Sequence, residues 1–124
     1  MCGILAIIGK GKDQELVKAL SKRMSHRGPD ESDLHVTENG HILSHERLSI
    51  IDLHSGKQPI QGCDTAWMIH NGEIYNHHDL RELLSTTNPY QHTNSWRGHS
   101  DSETLLACIE AWGLEKTLQK TVGM

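Results

Sequence analysis

Apolar residues fall in short runs along the chain, and turn residues bound each run. Residues 3–8 are continuously apolar and end at Gly9, a pattern that predicts a buried strand. Two further strands are expected near residues 33–37 and 42–50, with Asn39-Gly40 joining them in hairpin fashion. The first part of the chain is therefore predicted to form a small sheet.

Helical periodicity follows capping residues at several places. Ser100 and Glu103 form a Ser-x-x-Glu capping box before an apolar stripe, and Gly113 is the expected stop signal. Acidic and small polar residues are favoured at such starts because they satisfy the free N–H groups of the first turn. The predicted helices run from Asp13 to about Met24, from an Asn76 cap through Leu80, Leu83 and Leu84, from Ser100 to Gly113, and over a short amphipathic stretch at residues 114–122.

Length and composition restrict the class of protein. At 124 residues the chain is at most one domain, yet it is long enough for a real core. Phe is absent and aromatic residues make up only 4% of the chain, which suggests that part of the natural core is missing from this sequence. The net charge of −4 argues against nucleic-acid binding. Because the sequence holds neither a signal peptide nor an apolar stretch of about 20 residues, we expect a cytoplasmic protein with no membrane partner.

The cysteine and histidine patterns argue against disulfides and metals. The three cysteines are odd in number and widely spaced, so neither a disulfide framework nor a zinc knuckle is expected. Ten histidines are present, but the adjacent pair His77-His78 would point its rings apart on a helix or a strand. We therefore expect no metal site.

Cys2 directly follows Met1 and becomes the N-terminal residue once that methionine is removed. It then carries a thiol nucleophile and a free α-amine, whose reference pKa of about 7.7–8.0 suits it to accept the thiol proton. This is the N-terminal form of a nucleophile with an adjacent base. The alternative is that Cys2 is simply an early residue on a buried strand.

A fourth strand is expected over residues 66–70, and Asn71-Gly72 follows it as a second tight turn. A carboxamide N–H and a backbone N–H at such a turn could form an oxyanion hole, worth roughly 3–4 kcal/mol per donor. However, Asn-Gly is also the commonest hairpin turn. On its own the dipeptide favours the plain turn.

Six segments that could serve this chemistry occur in one order along the chain. They are Cys2-Gly3-Ile4, Ser25-His26-Arg27-Gly28-Pro29-Asp30, His45-Glu46-Arg47-Leu48-Ser49-Ile50-Ile51-Asp52, Gln58-Pro59, Asn71-Gly72-Glu73-Ile74-Tyr75-Asn76 and Ser100-Asp101-Ser102-Glu103. This set and its order resemble the glutaminase domain of glutamine-hydrolysing asparagine synthetases, the class II glutamine amidotransferases. The resemblance covers essentially the whole chain.

The resemblance assigns roles to the matching positions. Cys2 is the implied nucleophile with its own amine as base, and Asn71 and Gly72 are the implied oxyanion hole. The enzyme implied is a glutamine amidotransferase of asparagine biosynthesis, which hydrolyses L-glutamine to glutamate and ammonia through a Cys2 thioester.

Further roles in substrate binding are implied. Arg47 is expected to pair with the glutamine α-carboxylate, since a guanidinium fork suits a carboxylate. Glu73 and Asp101 are expected to hold the substrate ammonium. Arg47 and Asp101 are expected at a pocket edge, so that removing Arg47 would hardly change stability; a solvated strand residue and a helix-start anion are the alternatives. The resemblance also implies that the wall of the glutamine site beside Arg47 is lined by Leu48, Ser49, Ile50 and Ile51.

The implied fold is of the α/β (α+β) class, an αββα sandwich of antiparallel sheets characteristic of N-terminal nucleophile hydrolases. Residues 1–124 are expected to be the N-terminal part of this glutaminase domain, incomplete at its C-terminus and weak or inactive alone. The resemblance implies no cofactor in this stretch. It implies ATP and Mg²⁺ for a synthetase domain of the intact chain that amidates aspartate, and it allows a homodimer.

The chain also departs from the family pattern. The loop before Asp101 looks longer than usual, and His99 stands where the family often has a small residue, so the wall near the substrate ammonium is expected to differ. That loop contains Asn94, Ser95, Trp96 and Arg97.

Three other functions remain open at this stage. The intact protein could amidate another carboxylate, such as a sugar acid in surface-polysaccharide synthesis. The chain could be a binding or regulatory remnant without turnover. It could also be a histidine-rich metal-binding module.

Overall fold

The computed structural model describes residues 2–9, 13–49, 56–63, 65–87 and 96–124. They belong to two compact units. The first comprises Met1–Ile50, Lys57–Ile60 and Trp67–Asn71, and the second comprises Ile51–Gly56, Gln61–Ala66 and Gly72–Met124. The predicted wall residues Ile50 and Ile51, and the loop residues Asn94 and Ser95, lie outside the described residues.

The first unit is a three-stranded antiparallel sheet with one helix. Its elements are strand β1 (Gly3–Ile7), helix α1 (Gln14–Lys22), strand β2 (Glu31–Val36) and strand β3 (Ile42–Arg47). The strand order is β1-β3-β2, so β3 is central and buried along most of its length. Helices combined with an antiparallel sheet confirm the predicted α/β class at this level.

Polar side chains link α1 to the central strand. The Ser21 hydroxyl donates to Glu46 Oε1 over 2.7 Å, and the Ser44 hydroxyl donates to Ser21 Oγ over 2.7 Å. Asp13 caps α1 as predicted, because its Oδ1 accepts the backbone N–H groups of Glu15 and Leu16. The buried carboxylate of Glu46 is therefore hydrogen-bonded rather than isolated.

One sequence expectation needs correction here. β1 is only half buried, because its side chains alternate and Ile4 remains 42% exposed. The expected β2–β3 hairpin is present, with a three-residue loop over residues 38–40: Thr37 N–H donates to His41 O over 2.8 Å. Gly40 has φ of 80° at the last loop position, a conformation that glycine adopts without strain.

The hairpin after β3 is short. Strands β4 (Ile60–Gln61) and β5 (Trp67–Met68) form a two-stranded sheet, so the strand expected over residues 66–70 is only partly realised. Asn71-Gly72 is not a tight hairpin turn, because the chain bends at Gly72 without a positive φ. The Gln58–Pro59 peptide bond is cis.

The second unit is mainly helical. It contains helix α2 (His77–Thr87), helix α3 (Asp101–Trp112) and helix α4 (Leu114–Leu118). The α2 and α3 helices pack against each other, and the residues Leu80, Leu84, Leu105 and Cys108 of these helices are buried. Gly113, with φ of 81°, ends α3 as predicted. In the part of the chain that the structure describes, no helix is long and apolar enough to cross a membrane.

The predicted capping box of α3 is wrong in its contacts. Ser100 occupies the N-cap position, but its side chain makes no capping hydrogen bond. Glu103 instead accepts the backbone N–H groups of Arg97 and Gly98, over 2.9 and 3.2 Å. The Glu103 carboxylate that a capping box would use is therefore hydrogen-bonded to the loop before the helix.

A backbone ladder closes the second unit. Glu73 and Met124 exchange two backbone hydrogen bonds, and Tyr75 N–H donates to Val122 O over 2.7 Å. Asn76 starts α2 through its carbonyl, which accepts from Leu80 N–H, while its side chain bonds to Lys120 O and Val122 N. The segment that carries Glu73 is thereby tied to the last residues of the sequence.

Candidate active site

Cys2 lies at the start of β1, beside the residue that follows β3. The Leu48 backbone N–H donates to Cys2 Sγ over 3.4 Å, and Sγ lies 3.8 Å from Leu48 O. The Arg27 side chain donates from Nε to Cys2 O over 3.1 Å. The half-buried thiol is therefore held on the sulfur side by Leu48 and on the backbone side by Arg27.

Arg47 occupies the last position of β3, next to Leu48. It is buried, with 4% of its surface exposed, and it lines a small pocket together with Lys57 and Gln58. Its Nη1 lies 2.7 Å from Glu31 Oε2, on the neighbouring strand β2. The exposed Lys57 amine approaches the other oxygen of Glu31 at 3.8 Å. Because this guanidinium is buried and paired with Glu31, it contributes to the stability of the fold as well as to any binding site.

The turn before β2 shapes the same end of the sheet. The Asp30 carboxylate accepts the Ser49 backbone N–H over 2.7 Å, and Asp30 N–H donates to Arg47 O over 3.0 Å. A Cβ on Gly28 would lie 2.1 Å from Glu46 O, so only glycine allows this close approach. The turn motif therefore acts by fixing the end of β3.

Asn71 follows His70, whose backbone is hydrogen-bonded by the buried side chains of Gln58 and His45. His70 N–H donates to Gln58 Oε1 over 2.6 Å, and His45 Nε2 lies 3.4 Å from His70 O. Both holding side chains belong to segments that the sequence had singled out, although neither had an assigned role. The peptide that leads into Asn71 is thus fixed on both its N–H and its C=O side.

His45 combines burial with one unsatisfied nitrogen. Its Nδ1 is buried and has no hydrogen-bond partner among the described residues. Burial lowers the pKa of the His45 imidazole because the charged form would lose its hydration; Arg47 adds to this, and the bond to His70 and the charge of Glu46 act the other way. The neutral ring, with Nε2 as the donor to His70 O, is the form that fits this environment.

In the second unit, Asp101 begins α3 and lies against the segment after Gly72. Its Oδ2 accepts the Ile74 N–H over 2.8 Å, and its Oδ1 accepts the Ser102 N–H over 2.8 Å. Only 7% of Asp101 is exposed. Glu73 is exposed and pairs through its backbone with Met124.

His77, the first residue of α2, lies in the same electrostatic neighbourhood. Burial and the neighbouring His78 lower the pKa of the His77 imidazole, while Asp101 and Glu73 raise it. The two histidine rings were expected to point apart, but their centroids lie 4.0 Å apart with the ring planes inclined by 36°. In the described part of the chain, no three His, Cys, Asp or Glu side chains converge into a group that could hold a metal ion.

The structure thus groups the predicted residues within each unit. In the first unit, Cys2 contacts Leu48. Arg47 and Ser49, the neighbours of Leu48, lie at the same end of β3. In the second, Asp101 meets the segment of Gly72 and Glu73. Sequence reasoning assigned no role to four residues that hold these groups: Arg27, Glu31, Gln58 and His45.

Comparison with known proteins identifies the family. The profile of the glutamine amidotransferase domain matches residues 1–124, the whole of the sequence. The chain belongs to the glutamine amidotransferase domain family. The resemblance stated from the six ordered segments is therefore confirmed.

Relatives of this amidotransferase domain carry a more specific name. An Arabidopsis thaliana protein named glutamine-hydrolyzing asparagine synthetase 2 is 43% identical over 121 residues, covering 93% of this chain and 19% of that protein. A Dictyostelium discoideum protein named probable glutamine-hydrolyzing asparagine synthetase is 42% identical over 118 residues, covering 91% and 20%. A Pisum sativum nodule asparagine synthetase is 45% identical over 89 residues, covering 68% and 15%. The chain thus spans about a fifth of the length of the Arabidopsis and Dictyostelium relatives and less of the Pisum protein.

Proposed function

We propose that this amidotransferase domain is the glutaminase part of an asparagine synthetase, hydrolysing L-glutamine to glutamate and ammonia for the amidation of aspartate. The family match over the whole chain and the names of the relatives support this assignment. The single observation that carries it within the chain is Cys2, which follows Met1 and is held between Leu48 and Arg27.

The proposed chemistry uses one residue as nucleophile and base. After removal of Met1, the Cys2 amine takes the thiol proton, and Sγ attacks the side-chain carbonyl carbon of glutamine. The tetrahedral intermediate collapses as the amine returns the proton to the leaving nitrogen; the C–N bond breaks and ammonia departs. Water, deprotonated by the same amine, then attacks the thioester, the C–S bond breaks, and glutamate and the free thiol result.

Asn71 and Gly72 are the proposed donors to the oxyanion of both tetrahedral intermediates. Each donor of this kind contributes about 3–4 kcal/mol in known hydrolases, provided that its position is fixed beforehand. The hydrogen bonds of His70 to Gln58 and to His45 support such fixing for Asn71.

The remaining assigned residues would bind glutamine itself. Arg47 would take the α-carboxylate, and Glu31 would orient the guanidinium fork. Glu73 and Asp101 would hold the α-ammonium. The residues proposed to line the wall beside Arg47 are Leu48, Ser49, Ile50 and Ile51.

The intact enzyme would combine two activities. We propose that residues 1–124 belong to an αββα N-terminal nucleophile domain and that ammonia passes to a synthetase domain, as the relatives' names and greater lengths suggest. ATP and Mg²⁺ would serve the amidation step there, and no residue of this chain is assigned to them. The three free cysteines favour a reducing compartment such as the cytoplasm.

The test uses the full natural polypeptide with Cys2→Ala and, as matched control, Cys63→Ser at an exposed thiol. Cys2→Ala should abolish ammonia release from glutamine and glutamine-dependent asparagine formation, but should spare asparagine formation from free ammonia. Cys63→Ser should leave both intact. A Cys2→Ala protein that still hydrolyses glutamine would exclude the proposed nucleophile, and a product other than asparagine would exclude aspartate as the acceptor.

A further inference from the structure

The Arg81 side chain of α2 binds the loop and first turn that surround Asp101. Its Nη1 donates to Gly98 O over 2.9 Å, its Nη2 donates to Ser100 O over 3.1 Å, and its Nε donates to Thr104 Oγ1 over 2.7 Å. The fork thus contacts the loop, the residue before Asp101 and the first turn of α3. Such planar, multidentate geometry is specific to arginine.

Glu103 holds the same loop from the helix side. Its carboxylate accepts the backbone N–H groups of Arg97 and Gly98, and its Oε2 lies 3.6 Å from Arg81 Nη2. Both charged side chains are largely buried, with 14% of Arg81 and 10% of Glu103 exposed. The Trp96 ring covers the other side of the cluster, 4.0 Å from the guanidinium carbon of Arg81.

These contacts determine where α3 begins, because the usual cap is absent from it. Ser100 makes no side-chain capping bond. The start of the helix therefore depends on the ion pair between Arg81 and Glu103 and on the loop that these two side chains bind. Asp101 is the next residue, and its carboxylate reaches the Ile74 N–H from this start. Displacing Ser100 O would therefore displace the Asp101 carboxylate.

We infer that Arg81 is a positioning residue for recognition of the substrate α-ammonium, acting through Asp101. This inference rests on the proposed function, in which Asp101 binds that ammonium. Arg81 does not touch the substrate in this scheme; it sets the carboxylate that does. The unusual loop containing Trp96 and Arg97 is the element that Arg81 and Glu103 hold in place.

The test compares two substrates in the full natural polypeptide: L-glutamine and glutaramate, which is glutamine without its α-amine. The quantity measured is the ratio of kcat/KM for glutamine to that for glutaramate. A correctly placed Asp101 favours glutamine, because the analogue lacks the ammonium that would form an ion pair with this buried carboxylate. Arg81→Leu should lower this ratio by about tenfold, mainly through the glutamine KM, and Arg81→Lys should restore part of it.

Two further variants separate the possible failures. Asp101→Asn should lower the ratio at least as much, and adding Arg81→Leu to it should cause no further loss of selectivity. Arg97→Leu is the matched control, because this more exposed arginine also contacts Glu103, and it should leave the ratio unchanged. Glu103→Gln serves as a second positioning variant if Arg81→Leu does not fold.

An equal loss of kcat/KM for both substrates in the Arg81 variants would overturn the inference, since it would show a structural role alone. If the Arg81 variants leave the ratio unchanged while Asp101→Asn lowers it, the proposed function stands and this inference falls. If Asp101→Asn leaves the ratio unchanged, the ammonium assignment of the proposed function fails, and the inference fails with it.

Discussion

Arg47 and Glu31 face each other across strands β3 and β2, with Arg47 Nη1 2.7 Å from Glu31 Oε2. The arginine end of this pair is buried, with 5% of its side chain exposed, whereas 35% of the glutamate side chain is exposed. The pair therefore fixes one edge of the guanidinium fork. In the proposed function, this ion pair orients the guanidinium that binds the substrate carboxylate.

Glu31→Gln should destabilise the protein and impair glutamine binding together. Loss of the carboxylate charge weakens the compensation of a buried guanidinium, which should lower the free energy of unfolding by about 1–3 kcal/mol. The glutamine KM should rise while ammonia-dependent synthesis is unaffected. Denaturant unfolding and steady-state kinetics would measure the two effects.

Lys57→Gln is the matched control for that change. Its amine approaches the same glutamate, but 68% of the lysine side chain is exposed, so the pair should contribute only about 0–1 kcal/mol. A Lys57 variant as damaged as Glu31→Gln would show that the buried ion pair is not the important contact.

The thiols should differ sharply in their reactivity. Burial raises the pKa of Cys108 to about 12, whereas Cys63 is exposed. Because the thiolate is the reactive form, brief treatment of the native protein with iodoacetamide should label Cys63 and spare Cys108. Peptide mapping by mass spectrometry would quantify labelling at each position.

Unfolding in guanidinium chloride is the control for this experiment, and it should make Cys108 react as readily as Cys63. A Cys63→Ser protein would then leave Cys2 as the principal native target, so that its reactivity can be followed alone. Rapid labelling of Cys108 in the folded protein would contradict the buried environment described above.

Stability should fall as the pH drops below about 6.5, the reference pKa of histidine. Burial lowers the pKa of His45 in the folded protein, so between the folded and reference values the unfolded chain binds more protons. Stability then rises with pH through this window. His77 has a pKa lowered in the same direction and should contribute with the same sign. Thermal melts between pH 7.5 and 5.5 would measure the slope.

His45→Gln should flatten this slope, because an amide can still donate to His70 O but does not titrate. His26→Gln is the matched control at an exposed histidine and should retain the slope of the natural protein. The assignment to His45 would be refuted by a slope that survives His45→Gln unchanged.

Local signals predicted the elements better than the contacts between them. The Asp13 cap, the Gly113 stop and the hairpin at Asn39-Gly40 all follow from residues close in sequence. The strand register of that hairpin could not be predicted from these local signals. A two-residue Asn-Gly loop would place Ser32 opposite Arg47, whereas the three-residue loop places Glu31 there. A one-residue change of register exchanges the faces of a strand, so the ion pair could not be anticipated.

The residues of the candidate site were found through resemblance, while their partners required the structure. Glu103 fitted a capping box in sequence, yet its carboxylate accepts the loop N–H groups of Arg97 and Gly98 instead. Similarly, Arg27 was visible in a quoted motif, but nothing local indicated that it would bind the carbonyl of Cys2, which lies 25 positions away. Long-range partners of this kind have no periodic signature.

The edge position of β1 has a consequence for the order in which the sheet assembles. Strands β2 and β3 are neighbours in sequence and can pair early, whereas β1 must close a loop that separates Cys2 from Leu48 by 46 positions. Within the described sheet β1 pairs with β3 alone, so it can also detach while the β2–β3 hairpin persists. We therefore expect β1 to dock after the β2–β3 hairpin has formed and to open before it, so that the surroundings of the Cys2 sulfur form only when this unit is fully folded.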